Sequence, residues 1–279
     1  MVAENPDLTR LLLLFAAGGI VLAGATIDLY LAFLLQRRSA TFAFPALPSL
    51  RQRPFSHLHA LQVLLITLLF AVPSLFQKAG PRTPSSAMLI SGSVLYALTA
   101  LLIVTFCLST AGATFRSAFH TGACSVRRAL GQGVLYGLAS LPPILLLSHV
   151  MSTVTEALGY DARPQEVFDW FGNAEIPWAT RICLMVAAVV LAPMAEEALF
   201  RGILFPALLK NRRFAAAALL TGIYFALVHF HAVSLLPLLA LSVAFSSAYA
   251  ATGSLLTPIV MHALFNATSI VLYYATEAS

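Results

Sequence analysis

Charge is what this chain has least of. Of its 279 residues only 10% are Asp, Glu, Lys or Arg, against roughly 25% in soluble domains. A chain so poor in charge, 59% hydrophobic and with a mean hydropathy of +0.88, cannot cover a globular surface with polar groups. A soluble fold is excluded, and most of the chain must face lipid or other apolar helices. Cysteine is nearly absent. Cys107, Cys124 and Cys183 lie far apart, without a CxxC pair or metal-binding spacing, which excludes a disulfide framework. No basic stripe interleaved with aromatics occurs, so no nucleic-acid partner is expected. Nor is there an internal repeat or a low-complexity linker, and residues 1–279 read as a single membrane domain.

What the chain does have is long apolar runs. A helix needs about 20 apolar residues to cross the hydrocarbon core. The intervals between charges place such runs at Leu11–Leu35, Ala60–Phe76, Ala87–Ala111, Val134–Met151, Ile182–Phe205, Phe214–Phe230, Ser234–Ala250 and Leu255–Tyr274. The expected fold is all-α, a polytopic integral membrane protein of about eight transmembrane helices. The fourth run contains the helix-distorting Pro142 and Pro143. The first has a signal-like Ala23-Gly24-Ala25, but its leading segment is not basic and its apolar run is too long, so it reads as an anchor.

Charge bias orients the runs. With the N-terminus outside, the cytoplasmic loops hold Arg37, Arg38, Arg51, Arg53, Arg116, Arg127, Arg128, Lys210, Arg212 and Arg213. The outer segments hold Arg10, Lys78, Arg82, Arg163 and Arg181, together with the acidic loop of Glu156, Asp161, Glu166, Asp169 and Glu175. This bias predicts both termini outside. The expected location is a prokaryotic plasma (inner) membrane, with a site that opens towards the cytoplasm or within the bilayer.

Ionisable groups inside a bilayer are expensive and mark functional sites by default. The fifth run carries Glu196, Glu197 and Arg201 in Met-Ala-Glu-Glu-Ala-Leu-Phe-Arg-Gly. Glu197 and Arg201 are four apart and share a helix face, so they can pair. Glu196 lies roughly 140° around the helix from Arg201 and is left to face a cavity, where a carboxylate can serve as a general base. The same charges could instead form a neutralised pair that holds two helices together. His229 follows Phe225 by four residues. His262 and Asn266 are also four apart, an arrangement that can aim two polar groups at one point, as an oxyanion site requires. Each could equally be a helix-to-helix hydrogen bond. Asp28 could pair with Arg37 or Arg38, and His57, His59, His120, His149 and His231 take no role.

Taken together, Glu-Glu-x-x-x-Arg (Glu196, Glu197, Arg201), Phe-x-x-x-His (Phe225, His229) and His-x-x-x-Asn (His262, Asn266) resemble the CPBP family. These are the CAAX prenyl endopeptidases of the Ras-converting class and the related bacterial bacteriocin-processing or immunity proteins. The resemblance covers about Ile182 to Tyr274 and implies an intramembrane, glutamate-dependent endopeptidase. Its implied roles are water activation by Glu196 with His229, oxyanion stabilisation by His262 and Asn266, and positioning of Glu196 by Glu197 with Arg201. The implied partners are the bilayer and a peptide or protein substrate, with or without a lipid anchor, such as a CAAX-type tail or a bacterial membrane polypeptide.

No cofactor is required in this reading. The enzyme alternative is a zinc protease with the metal held by Glu196, His229 and His262, although HExxH is absent. The non-enzyme alternative is an immunity or transport-type membrane protein, in which buried charges form a proton or substrate path. Straight helices pose one difficulty. His262 is about seven residues from the cytoplasmic end of its run and His229 about fifteen, roughly 12 Å apart in depth at 1.5 Å per residue.

Overall fold

A computed structural model describes residues 6–36, 44–76, 85–119 and 124–276, and among these no strand occurs. The helices are α1 (Pro6–Gln36), α2 (Leu47–Arg51), α3 (His57–Phe76), α4 (Ser86–Thr110), α5 (Phe115–Phe119), α6 (Val126–Ala157) and α7 (Glu166–Gly172). They continue with α8 (Trp178–Leu209), α9 (Phe214–Leu227), α10 (Leu235–Thr252) and α11 (Leu256–Thr276). Each of the eight expected runs is a helix. Six of them are long and apolar enough to cross a membrane, and His57–Leu68 and Phe214–Leu227 are shorter apolar helices. The fold is that of an all-α, multi-pass integral membrane protein.

Two boundaries depart from expectation. α6 extends well beyond Val134–Met151 and runs straight through Pro142 and Pro143. Pro142 has no N–H for the Leu138 carbonyl, and α1 packs on that spot: a Cβ at Gly24 would collide with the Leu138 oxygen. Small residues also bring α6 onto α11, where side chains at Gly133 and Gly137 would meet Val260 and Leu264. α9, in turn, stops at Leu227, so His229 belongs to the turn that follows and not to the helix.

The helices alternate in direction, which gives the molecule two faces. On one, Arg51 donates to the carbonyls of Leu209 and Arg212, Arg53 donates to Ser117, and His57 meets Asn211. On the other, Arg10 of α1 donates to Ala275 and Thr276 of α11, Tyr274 donates to the Phe171 carbonyl, and His231 donates to that of Arg163. We call these the basic face and the α7 face. Both tryptophans lie at the α7 face: Trp170 is in α7, and Trp178 stacks on Tyr274 with Arg181 above its ring. Aromatic residues in such a cluster suit a membrane–water boundary.

Asp28 is half-buried in α1, and its candidate partners Arg37 and Arg38 lie outside the described residues, as does His120. His59 Nδ1 accepts from the Ser56 backbone N–H, His231 Nδ1 meets the Ser234 hydroxyl, and His149 is exposed.

Candidate active site

The carboxylates sit on α8 between two π-helical turns, Ala187–Leu191 and Phe200–Leu204. In an α-helical register the rings of Pro193 and Pro206 would collide with the carbonyls of Val189 and Gly202, four residues back, and a wider turn ahead of each proline relieves this. In the i→i+5 register the Ala188 carbonyl would take its hydrogen from residue 193 and the Arg201 carbonyl from residue 206, and both are proline. The orphaned Ala188 carbonyl instead accepts from Asn266 Nδ2 at 2.8 Å. Asn266 is thereby tied to α8, and its bonded partner is the backbone there and not a carboxylate.

Glu197 and Arg201 form the pair that their spacing predicts. The Arg201 guanidinium donates to Glu197 Oε1 at 2.9 Å, with both side chains wholly buried. Arg201 also donates to the carbonyl and hydroxyl of Ser242 on α10, and lies 4.9 and 5.1 Å from the ring centres of Phe225 and Phe245. His262 Nδ1 donates to the same Glu197 oxygen at 3.0 Å, while its ring stacks on Phe245. One carboxylate thus holds two side chains from two helices.

Glu196 points elsewhere, into a cavity of about 730 Å³ between α4 and α8. Tyr96 of α4 donates to its Oε1 at 2.9 Å. Its Oε2 is buried without a hydrogen-bonding partner among the described residues. That oxygen lies 3.9 Å from Nε2 of His229 and 3.9 Å from Nε2 of His262. The two histidines therefore converge on one atom in spite of the depth mismatch of straight helices. His229 is fixed by its other nitrogen, which lies 2.6 Å from the Phe225 carbonyl. A carbonyl only accepts, so Nδ1 carries the hydrogen and Nε2 of the neutral ring presents a lone pair towards Glu196. The next residue, Phe230, has φ +48°, a left-handed conformation that bulky residues rarely adopt, and it reverses the chain towards α10.

Of the six residues singled out in the sequence, five are brought together: Glu196, Glu197, Arg201, His229 and His262. Tyr96, Ser242 and Phe245 join them without any sequence motif. As a zinc site the group is open: the 3.9 Å separations exceed the roughly 3.3 Å between tetrahedral ligands with bonds near 2.0 Å. Among the described residues no group of three or more His, Cys, Asp or Glu is arranged to hold a metal ion.

The cavity runs from Met88, Val167 and Trp170 at the α7 face past Tyr96, Glu196 and His229 to Ala100, Ile103 and Phe200, the last three buried. Towards the basic face α8 is packed solid, with Phe200, Arg201, Ile203, Leu204, Phe205 and Leu209 all at most 3% exposed. The exposed side chains that line the cavity are Met88 at the α7 face and Leu95, Tyr96 and Leu191 along the flank between α4 and α8, and both ends of the described chain lie at the α7 face.

Residues 177–268 match the family described as Type II CAAX prenyl endopeptidase, Rce1-like, about a third of the chain. A protein of Bacillus subtilis (strain 168) named "Putative membrane peptidase YdiL" is 29% identical over 89 residues, which are 32% of this chain and 36% of that protein. The chain therefore matches little more than a third of the length of this curated relative. No solved structure matches. The matched segment holds all five converging side chains and Asn266, and over that segment the chain is similar to the Rce1-like CAAX prenyl endopeptidases.

Proposed function

We propose that the protein is an intramembrane endopeptidase in which Glu196 is the general base. The observation that carries this reading is Glu196 Oε2, buried, without a hydrogen-bonding partner among the described residues and flanked at 3.9 Å by two imidazole nitrogens, on a side chain that lines a cavity. Two acceptors 3.9 Å apart can both be reached by one water at about 2.8 Å from each. Glu196 and His229 would each accept one of its hydrogens, so that its lone pair faces the cavity. Attack on a peptide carbonyl then passes one proton to Glu196, which returns it to the departing amine nitrogen.

His262 can stabilise the developing oxyanion through Nε2 only when both of its nitrogens carry hydrogen, because Nδ1 is committed to Glu197. In that state Glu196 and Glu197 balance Arg201 and one imidazolium, and the buried cluster is neutral, which suits a site within a bilayer. Asn266 has a second amide hydrogen for the same oxygen and in addition ties α11 to the first π turn. Glu197 and Arg201 position His262 and the segment that presents Glu196. The Rce1-like match supports a peptide of a membrane-associated protein as substrate, and the Bacillus relative, named as a membrane peptidase, supports a bacterial membrane as its setting.

Purified, reconstituted protein given an internally quenched apolar peptide is the direct test. Cleavage should be lost in Glu196→Gln and in His229→Ala, with both variants folded and membrane-inserted. Normal cleavage by Glu196→Gln would remove the proposal.

A further inference from the structure

The two faces differ in charge as well as in access. Among the described residues, Arg51, Arg53, Arg116, Arg127, Arg128, Lys210, Arg212 and Arg213 lie at the basic face. Only Arg10, Arg163 and Arg181 lie at the α7 face, together with Glu156, Asp161, Asp169 and Glu175. By the positive-inside bias the basic face is cytoplasmic. The cavity extends from Glu196 to Met88, Val167 and Trp170 at the other face, with Leu95, Tyr96 and Leu191 exposed along its flank. The cytoplasmic route is filled by α8 from Phe200 to Phe205 and by Phe55 and Tyr249, both wholly buried.

We infer that the site draws its substrate from the non-cytoplasmic side of the membrane. The substrate class is an extended, apolar segment of an exported polypeptide held at the outer leaflet, not the carboxy-terminal tail of a cytoplasmic protein. Depth supports an extended segment. Tyr96, which bonds Glu196, is eight residues from Met88 along α4, about 12 Å of helix, so a folded surface cannot bring a peptide bond to the carboxylate. A strand-like segment, which rises about 3.3 Å per residue, spans that distance with about four residues. The walls it would pass on α4 are Leu89, Gly92, Ser93 and Leu95, which present little to hydrogen-bond and favour apolar side chains.

This inference rests on the peptidase reading for its chemistry and on the charge bias for its sidedness, and the test separates the two. In a chain whose three cysteines are replaced, Asp161→Cys and Met88→Cys report the α7 face and Arg212→Cys the basic face. A membrane-impermeant maleimide applied to intact bacterial cells should label the first two and leave Arg212→Cys unlabelled until lysis. In right-side-out vesicles, an internally quenched apolar peptide bearing an impermeant dye should be cleaved from outside. Maleimide treatment of the Met88→Cys protein should abolish that cleavage. Labelling of Arg212→Cys but not Asp161→Cys in intact cells, or cleavage only in inverted vesicles, overturns the sidedness and leaves the peptidase reading standing. Failure of the detergent-solubilised protein to cleave the peptide overturns the peptidase reading, and the substrate class with it, whatever the labelling pattern.

Discussion

Replacing Glu197 by glutamine isolates the charge that holds the site together. The substitution keeps the shape of the side chain and an oxygen for Arg201 and His262, but removes the negative charge that lies 2.9 Å from the guanidinium and 3.0 Å from the imidazole. Arg201, with no exposed surface, is left with Ser242 and two phenyl faces, none of which carries charge. Removal of one partner from a buried ion pair costs about 3–5 kcal/mol. The amide oxygen still accepts one hydrogen bond, so the expected loss is near the lower end, about 3 kcal/mol. Glu196→Gln behaves differently, because its hydrogen-bond donor among the described residues is the Tyr96 hydroxyl, which can also donate to an amide oxygen. Its expected loss is under about 1 kcal/mol. Thermal unfolding of the detergent-solubilised variants measures both. The double variant Glu197→Gln/Arg201→Leu should regain most of the lost stability, since removing both charges avoids an unpaired one, and should remain inactive. Wild-type unfolding of Glu197→Gln together with a destabilised Glu196→Gln would refute this division and make Glu196 the structural carboxylate.

Tyr96→Phe removes the hydroxyl on Glu196 Oε1. A hydrogen bond to a charged group contributes about 1.5–3 kcal/mol, so kcat should fall about tenfold or more with little change in KM. A raised KM at unchanged kcat would make Tyr96 only a wall of the cavity. Chelator dialysis should leave cleavage intact if Glu196 and His229 activate water without an ion, whereas a loss restored by zinc would assign them to a metal. Pro193→Ala supplies an N–H that the Val189 carbonyl can accept in the α-helical register, and removes the ring that collides with that carbonyl there, so the first π turn is no longer required. Stability should hold or rise, since proline inside a helix is unfavourable by about 3 kcal/mol, while cleavage should fall as Glu196 turns away from His229. Full activity in this variant would show that the π turn does not set the direction of Glu196.

The sequence carried the helices and the polar pairs because both obey short-range rules. Apolar runs between charges located eight apolar helices, six of them long enough to span a membrane, and the four-residue spacing of Glu197 and Arg201 located their contact. What lay between helices was not legible. Tyr96 is one tyrosine in an apolar run a hundred residues from its partner, and no spacing rule connects them. Ser242 looks like any small residue in a helix until Arg201 reaches its carbonyl. The π turns, by contrast, did leave a mark. Pro193 and Pro206 bracket the Glu-Glu-x-x-x-Arg segment, each withholding a hydrogen that the helix would need, and Asn266 is the side chain that answers the first of them.

The depth mismatch between the two histidines shows how packing completes what periodicity cannot. Counted along straight spans that begin level at the basic face, His229 falls roughly 12 Å deeper than His262 at 1.5 Å per residue. Yet both rings lie 3.9 Å from one oxygen of Glu196. The premise at fault is that the spans begin level. The α10–α11 turn reverses at Gly253, which has φ +69°, and its Leu255 packs against α8 at Gly202, where a Cβ would come within 3.5 Å of the leucine side chain. Gly202 is seven residues short of Leu209, the end of α8, so the turn is recessed by about 10 Å. Phe119 of α5 also packs on Gly202, and Ala46, just ahead of α2, hydrogen-bonds to Ala250 at the end of α10. The recessed turn is thereby covered from the basic face. The residues Gly253, Ser254 and Leu255 carry no charge, as a loop drawn below the basic face requires. The recess supplies nearly the whole offset, and the short α9 supplies the rest by releasing the chain at Leu227, so that His229 can turn towards Glu196 from beyond the helix end.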